Sequence, residues 1–295
     1  MIRRFFTYTL IVLLVFPLFS CVKRTRGSAP KIQRAKTTTP TTPVKKKDTI
    51  FVVVPTDPQG QTFPSITPNE NDFVIISSNK KLKPLIHKKN LPMPPTINFP
   101  RPSGSHTRTE YIEHFDITGK MKDLIVACDY DNPTVRNNAA ALVALSSGSF
   151  NLGQICDIFD FCYTNWSYVN DPITMDYYSK ASETLKNGLN GDCDDFAILL
   201  CSMIIAVGGE ARINSAQDDT SGHAFSEVNI GKTNREAIKQ YLIARYGVSE
   251  MQHKEDSSGN CWLNLDWQGQ YPGAKYWNYN RGYCFNIIRN EMHKL

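Results

Sequence analysis

From Phe196 to Val207 nearly every residue is apolar, which predicts a helix buried on all sides. Gly208-Gly209 follows and can take the left-handed conformation that ends a helix. Upstream, Asn132-Pro133 supplies a cap and a first-turn proline for a helix running to about Leu145. Leu152, Ile155, Cys156, Ile158, Phe159 and Cys162 recur at helical spacing and predict a second, amphipathic helix. The stretch Asn165 to Pro172 reads as a loop, and Ser182-Glu183-Thr184-Leu185 as a short helical turn before Asn187-Gly188 and Asn190-Gly191. Beyond the apolar helix the period changes. Ala211-Arg212-Ile213, residues 223–230 and residues 261–266 read as strands, with a helix over 234–246 and a surface turn over 254–260. Helices followed by strands predict an α+β fold, with a buried helix packed on a largely antiparallel sheet.

Alternation assigns faces. In 223–230, His223, Phe225, Glu227 and Asn229 share one face, while Ala224, Ser226, Val228 and Ile230 share the other. In 261–266, Trp262, Asn264 and Asp266 oppose Cys261, Leu263 and Leu265. Antiparallel pairing with His223 opposite Asp266 sets Ala224, Ser226 and Val228 against Leu265, Leu263 and Cys261. The core is then satisfied while imidazole meets carboxylate; the other parity separates them.

The rest of the 295 residues divides by composition. Arg3 and Arg4 precede an apolar run from Leu10 to Leu18, the pattern of an export signal and too short for a stable membrane span. Leu18-Phe19-Ser20-Cys21 matches a bacterial lipobox, so residues 1–20 are expected to be removed and Cys21 lipidated. Residues 21–50 form a basic, Thr/Pro-rich tether and 51–110 a Pro/Lys-rich linker, with possible short strands at 51–54 and 73–76. The compact domain is expected over 111–295. The formal charge of +5 is misleading, because residues 1–50 carry +10 and the remainder −5. A mildly acidic folded part argues against a nucleic-acid surface.

Gly191-Asp192-Cys193-Asp194-Asp195-Phe196-Ala197 places a cysteine where a glycine turn becomes the apolar helix. A helix N-terminus favours the thiolate, by about 0.3–1 kcal/mol. Three neighbouring carboxylates oppose it, each by roughly 1 kcal/mol at about 7 Å and an effective dielectric near 40. A nearby imidazolium is therefore required, and His223 in Gly222-His223-Ala224-Phe225-Ser226-Glu227-Val228 is the candidate. Asp266, closing Trp262-Leu263-Asn264-Leu265-Asp266, is the candidate to orient it. The three acids themselves read as first-turn capping groups.

In these residues, together with Gly208-Gly209-Glu210-Ala211-Arg212, the chain resembles the transglutaminase-like superfamily, whose fold is related to that of papain-like cysteine peptidases. The resemblance covers about residues 150–290. It implies Cys193 as nucleophile, His223 as general base, Asp266 as its orienter, and Trp166 as a donor to the oxyanion. The implied substrate is a protein or peptide, attacked at a peptide or glutamine amide through an acyl-thioester. Hydrolysis is expected, because water is abundant; a cross-linking transglutaminase and a non-catalytic binding module are the rivals.

Trp267, Tyr271, Tyr276, Trp277, Tyr279, Tyr283 and Phe285 could wall a substrate groove or fill the core. No cofactor or metal is expected, since no CxxC or HxxxH spacing accompanies Cys193, His223 and the acids. His87, His106, His114, His253 and His293 read as surface residues. Seven cysteines follow Cys21, an odd number that leaves one outside any internal pairing, with Cys193 the natural candidate. The expected protein is a monomer held at the bacterial cell envelope, on the periplasmic side or outer membrane, by its N-terminal lipid.

Overall fold

A computed structural model describes residues 82–83, 85, 91–99, 119–172, 177–232, 234–289 and 291–295. The export signal, Cys21, the tether, the possible strands at 51–54 and 73–76, and the start of the domain at 111 lie outside the described residues.

Among the described residues, four α-helices precede the central one: α1 (Gly119–Ala127), α2 (Pro133–Leu142), α3 (Leu152–Asn165) and α4 (Ala181–Lys186). The Asn132 side chain caps α2 by accepting from Thr134 N at 2.9 Å, with Pro133 in the first turn. The helix tightens into a 3-10 turn over Val143–Ser146. Asn151 caps α3 by accepting from Gln154 N at 3.2 Å. From Phe196 on, the central helix α5 (Cys193–Ala206) is apolar except for Ser202, and it is covered on both sides. It packs against α2, α3 and α4 on one side and against the strands β3 (Ala211–Gln217) and β4 (Gly222–Asn229) on the other.

Two short strands, β1 (Ser167–Tyr168) and β2 (Asn190–Gly191), pair in parallel where the sequence reads as loop and turn. After β4 come α6 (Arg235–Tyr246), β5 (His253–Glu255), β6 (Cys261–Asn264), a 3-10 turn (Trp267–Gly269), β7 (Arg281–Asn286) and β8 (Glu291–Lys294). The main sheet has the order β5-β6-β4-β3-β7-β8, and every pair is antiparallel. This is the expected α+β architecture.

The chain leaves the sheet at α6 and returns, and Arg245 ties that excursion to α3 through Asp157 and Asp160, both at 2.7 Å. Tyr246 adds a hydrogen bond from its hydroxyl to Asp160 at 2.8 Å. Burial pushes the thiol of Cys156 up to about 12, opposed by Arg245 and reinforced by Asp160 and Asp157. Cys156 therefore serves as a small apolar side chain.

The β4–β6 register differs from the expected one. Glu227 faces Asn264, Val228 faces Leu263 and Asn229 faces Trp262, a slide of two residues. An even slide preserves which side chains face the core, so alternation alone cannot distinguish the two registers. The observed one is extended by Leu265 N donating to Ser226 O at 3.0 Å and Ile230 N donating to Cys261 O at 2.8 Å.

Candidate active site

Cys193 opens α5, and its local geometry follows from its neighbours. Asp192 is the N-cap, its carboxylate accepting from Asp194 N at 3.2 Å. Asp195 completes a capping box, accepting from Asp192 N at 3.4 Å and also from Ser179 N at 2.8 Å. Two of the three acids therefore cap the helix as expected. Gly191 makes room for this: its φ is +154°, and a Cβ there would lie 2.1 Å from an Asp195 carboxylate oxygen. The parallel β1–β2 ladder adds Val169 N donating to Gly191 O at 2.8 Å, which holds the residue before the cap against the chain leaving α3.

The electrostatics around the thiol differ from the expectation that all three acids are charged. Burial pushes the carboxyl of Asp195 up to about 7, reinforced by Asp192 and Asp171 and opposed by the two backbone N–H groups. Burial, with Asp192 beside it, also holds Asp194 well above the carboxylate range. A neutral carboxyl does not repel a thiolate, so much of the opposition at Cys193 is removed below neutral pH.

His223 lies on β4, the strand against which α5 packs. Its Nε2 is 2.8 Å from Asp266 Oδ2, and the two side chains are 0% and 2% exposed, so water competes little for this bond. Asp266 reaches across because the chain leaves β6 after Asn264. Asn264 Oδ1 accepts from Asp266 N at 3.1 Å, and Asp266 Oδ1 caps the next 3-10 turn by accepting from Gln268 N at 3.0 Å. The diagonal contact is thus achieved in a register two residues away from direct opposition. Cys193 is itself only 4% exposed. With Nε2 committed to a carboxylate, Nδ1 is the ring nitrogen suited to exchange a proton.

Aromatic packing fixes the imidazole plane. Phe225 stacks at 6.0 Å between centroids, and Trp277 meets the ring edge-on at 5.4 Å. Beyond Phe225 lie Tyr276 and Tyr279, whose rings face the Lys254 ammonium at 4.6 and 4.3 Å. Tyr276 also donates to the buried Glu227 at 2.5 Å; Glu227 accepts from Arg212 as well, at 2.7 Å. The C-terminal aromatics therefore divide. Tyr276, Trp277 and Tyr279 surround the histidine side of the site, Phe285 is core, Tyr271 packs on Tyr246, and Trp267 stacks on Tyr168. Tyr283 is partly buried against the core from β7.

Trp166 follows α3, with its ring edge-on to Phe196 of α5 at 5.0 Å. Its indole Nε1 is buried without a hydrogen-bond partner among the described residues, as is that of Trp267. The sequence singles out Trp166 as the donor and places Trp267 only among the aromatics of a groove or core. It also gave no hint of Ser179 as an anchor for Asp195, because the contact spans 16 residues of turn and helix.

Among the described residues no disulfide links the cysteines, and each of the seven is buried. No described helix is long and apolar enough to cross a membrane. Asp192, Asp194 and Asp195 place oxygens within 4.8 Å of one another, but two of them are committed to the cap. His293 is exposed as expected; His87, His106 and His114 lie outside the described residues. His253 departs from the surface expectation, since only 22% of its side chain is exposed.

Residues 140–266 match the family model of the transglutaminase-like superfamily, a span that begins in α2 and ends at Asp266. The matched span contains Cys193, His223 and Asp266 and is what this chain has in common with that superfamily. No curated protein matches the chain. Two solved structures are similar to it: one from Cytophaga hutchinsonii, provisionally described as a cysteine protease, and calcium-bound LapG from Legionella pneumophila. The first is 16% identical, with 61% of this chain and 56% of that chain covered and a TM-score of 0.33. The second is 18% identical, with 61% and 82% covered and a TM-score of 0.31. The chain thus spans little more than half of the Cytophaga protein.

Proposed function

We propose that the domain is a cysteine hydrolase of peptide or glutamine amide bonds, with Cys193 as nucleophile, His223 as general base and acid, and Asp266 as orienter. The observation that carries this reading is the buried 2.8 Å hydrogen bond between His223 and Asp266, on the strand packed against the helix that Cys193 begins. In the proposed cycle, Nδ1 of His223 takes the thiol proton, and Cys193 Sγ bonds to the amide carbonyl carbon. His223 then protonates the leaving amine as the C–N bond breaks. Water, deprotonated by the same nitrogen, adds to the thioester carbonyl carbon; the C–S bond breaks to free the acid, and the imidazolium returns the proton to sulfur.

Trp166 is proposed to donate Nε1–H to the oxyanion. A buried N–H without a partner costs about 1–3 kcal/mol. If the substrate oxygen meets it as negative charge develops, that cost is recovered in the transition state. Hydrolysis is preferred to amine transfer on the abundance of water. Export and lipidation at Cys21 would hold the protein at the cell envelope, with protein or peptide substrates there.

Alkylation by iodoacetamide followed by peptide mapping tests the site. Cys193 should label selectively at neutral pH, with its rate reduced at least about tenfold in His223→Ala; equal rates in both proteins would leave only a binding module. For the anchor, Cys21→Ala should move the protein from the membrane to the soluble fraction of fractionated cells. Unchanged membrane retention would dismiss the lipid.

A further inference from the structure

Outside the active site, one side-chain cluster combines three different kinds of metal-ligating atom on a short hairpin. β5 and β6 pair with Glu255 opposite Cys261 and His253 opposite Leu263. Cross-strand partners share a face, and so do residues two apart on one strand. The ladder therefore sets His253, Glu255 and Cys261 on the same face. One ligand atom from each lies within 4.8 Å of the others. Nδ1 of His253 is buried and makes no hydrogen bond among the described residues. Cys261 is fully buried and in no disulfide.

We propose that His253, Glu255 and Cys261 bind a zinc-class divalent cation, with water as the fourth ligand. The donor set selects the metal. Calcium and magnesium take oxygen ligands, whereas imidazole, thiolate and one carboxylate suit a borderline-soft cation. Zinc–ligand bonds of about 2.0–2.3 Å put tetrahedral donors roughly 3.3–3.8 Å apart. The donor atoms now lie within 4.8 Å of one another, close to that spacing.

The competitor is Arg235, whose guanidinium pairs with Glu255. Those side chains are 48% and 49% exposed, and an exposed pair contributes at most about 1 kcal/mol, too little to hold the carboxylate from a metal. As the metal–sulfur bond forms, Cys261 gives its thiol proton to solvent, so binding releases one proton. The ion would clamp the edge strand β5 onto β6, the strand that runs on to Asp266.

The test uses the full chain in detergent, stripped of metal and titrated with cobalt(II), then with zinc as competitor. One equivalent should give a near-ultraviolet thiolate charge-transfer band and the strong visible bands of a tetrahedral site. The spectrum should persist in Cys193→Ala, which removes the thiol of the proposed active site, and vanish in Cys261→Ser. His253→Gln and Glu255→Gln should each weaken cobalt binding at least about tenfold. Circular dichroism checks the fold of each variant. No thiolate band in the parent, a band kept in Cys261→Ser, a band lost in Cys193→Ala, or unchanged affinity in both glutamine variants would overturn the site.

Discussion

Asp195 shows how one residue can serve the backbone and the chemistry at once. Its carboxylate closes the cap of α5 and anchors Ser179, yet burial raises its pKa to about 7. The sign of the resulting pH effect follows directly. The unfolded chain releases this proton near pH 4 and the folded chain near 7, so between those values the folded state binds more protons. Stability therefore falls as pH rises through that window, by a few kcal/mol at most, since a tenfold change in proton affinity is worth about 1.4 kcal/mol. Asp195→Asn keeps an oxygen for Ser179 N and removes the titration. Urea denaturation across about pH 4–7 should show a flatter decline for this variant, and an unchanged slope would place the titration elsewhere. At the same scale, Asp266 takes Nε2 of His223 and so leaves Nδ1 for the role proposed for it with the thiol.

At the scale of elements, the site depends on a turn with no room in it. The β1–β2 ladder and the Asp192 cap bring the chain past Gly191 so closely that any side chain there meets Asp195. Gly191→Ala must displace Asp195 from the cap and strain a positive φ, which should cost about 1–3 kcal/mol. The thermal midpoint should drop, and alkylation of Cys193 in the still-folded protein should slow. A variant with both unchanged would mean that the cap does not position the sulfur. The β4–β6 slide belongs to this scale too. Asp266 needs no partner directly opposite His223, because its own cap of the 3-10 turn aims the carboxylate.

Across the whole molecule, Glu210 joins parts that are far apart in the chain. Fully buried at the start of β3, it accepts from Asn229 at 3.0 Å, from Asn286 at 2.7 Å and from Arg289 at 2.9 Å. These contacts bind the ends of β4 and β7 to the segment leaving α5. Removing one member of a buried charged cluster strands the others, so Glu210→Ala should lose about 3–5 kcal/mol in urea denaturation. Cys193 should still label selectively under native conditions, since Glu210 touches none of the proposed active-site groups in the contacts described. Loss below about 1 kcal/mol would mean that the cluster is solvated.

The amino-acid order by itself determined the elements whose cause is local. The apolar run and its glycines define α5, Asn132-Pro133 starts α2, and alternation assigns the faces of β4 and of β6 as far as Asn264. Cys193 at a capped helix start was legible for the same reason: a cap is a contact among neighbours. Only the tertiary structure decided the β4–β6 register, because a slide of two leaves the apolar pattern unchanged. It also decided the parallel pairing of β1 with β2 and the place of β7 beside β3. Those pairings join segments that carry no local sign of each other. The neutral tendency of Asp194 and Asp195 was hidden likewise, since desolvation is produced by every group packed around a carboxyl and by no single neighbour in sequence.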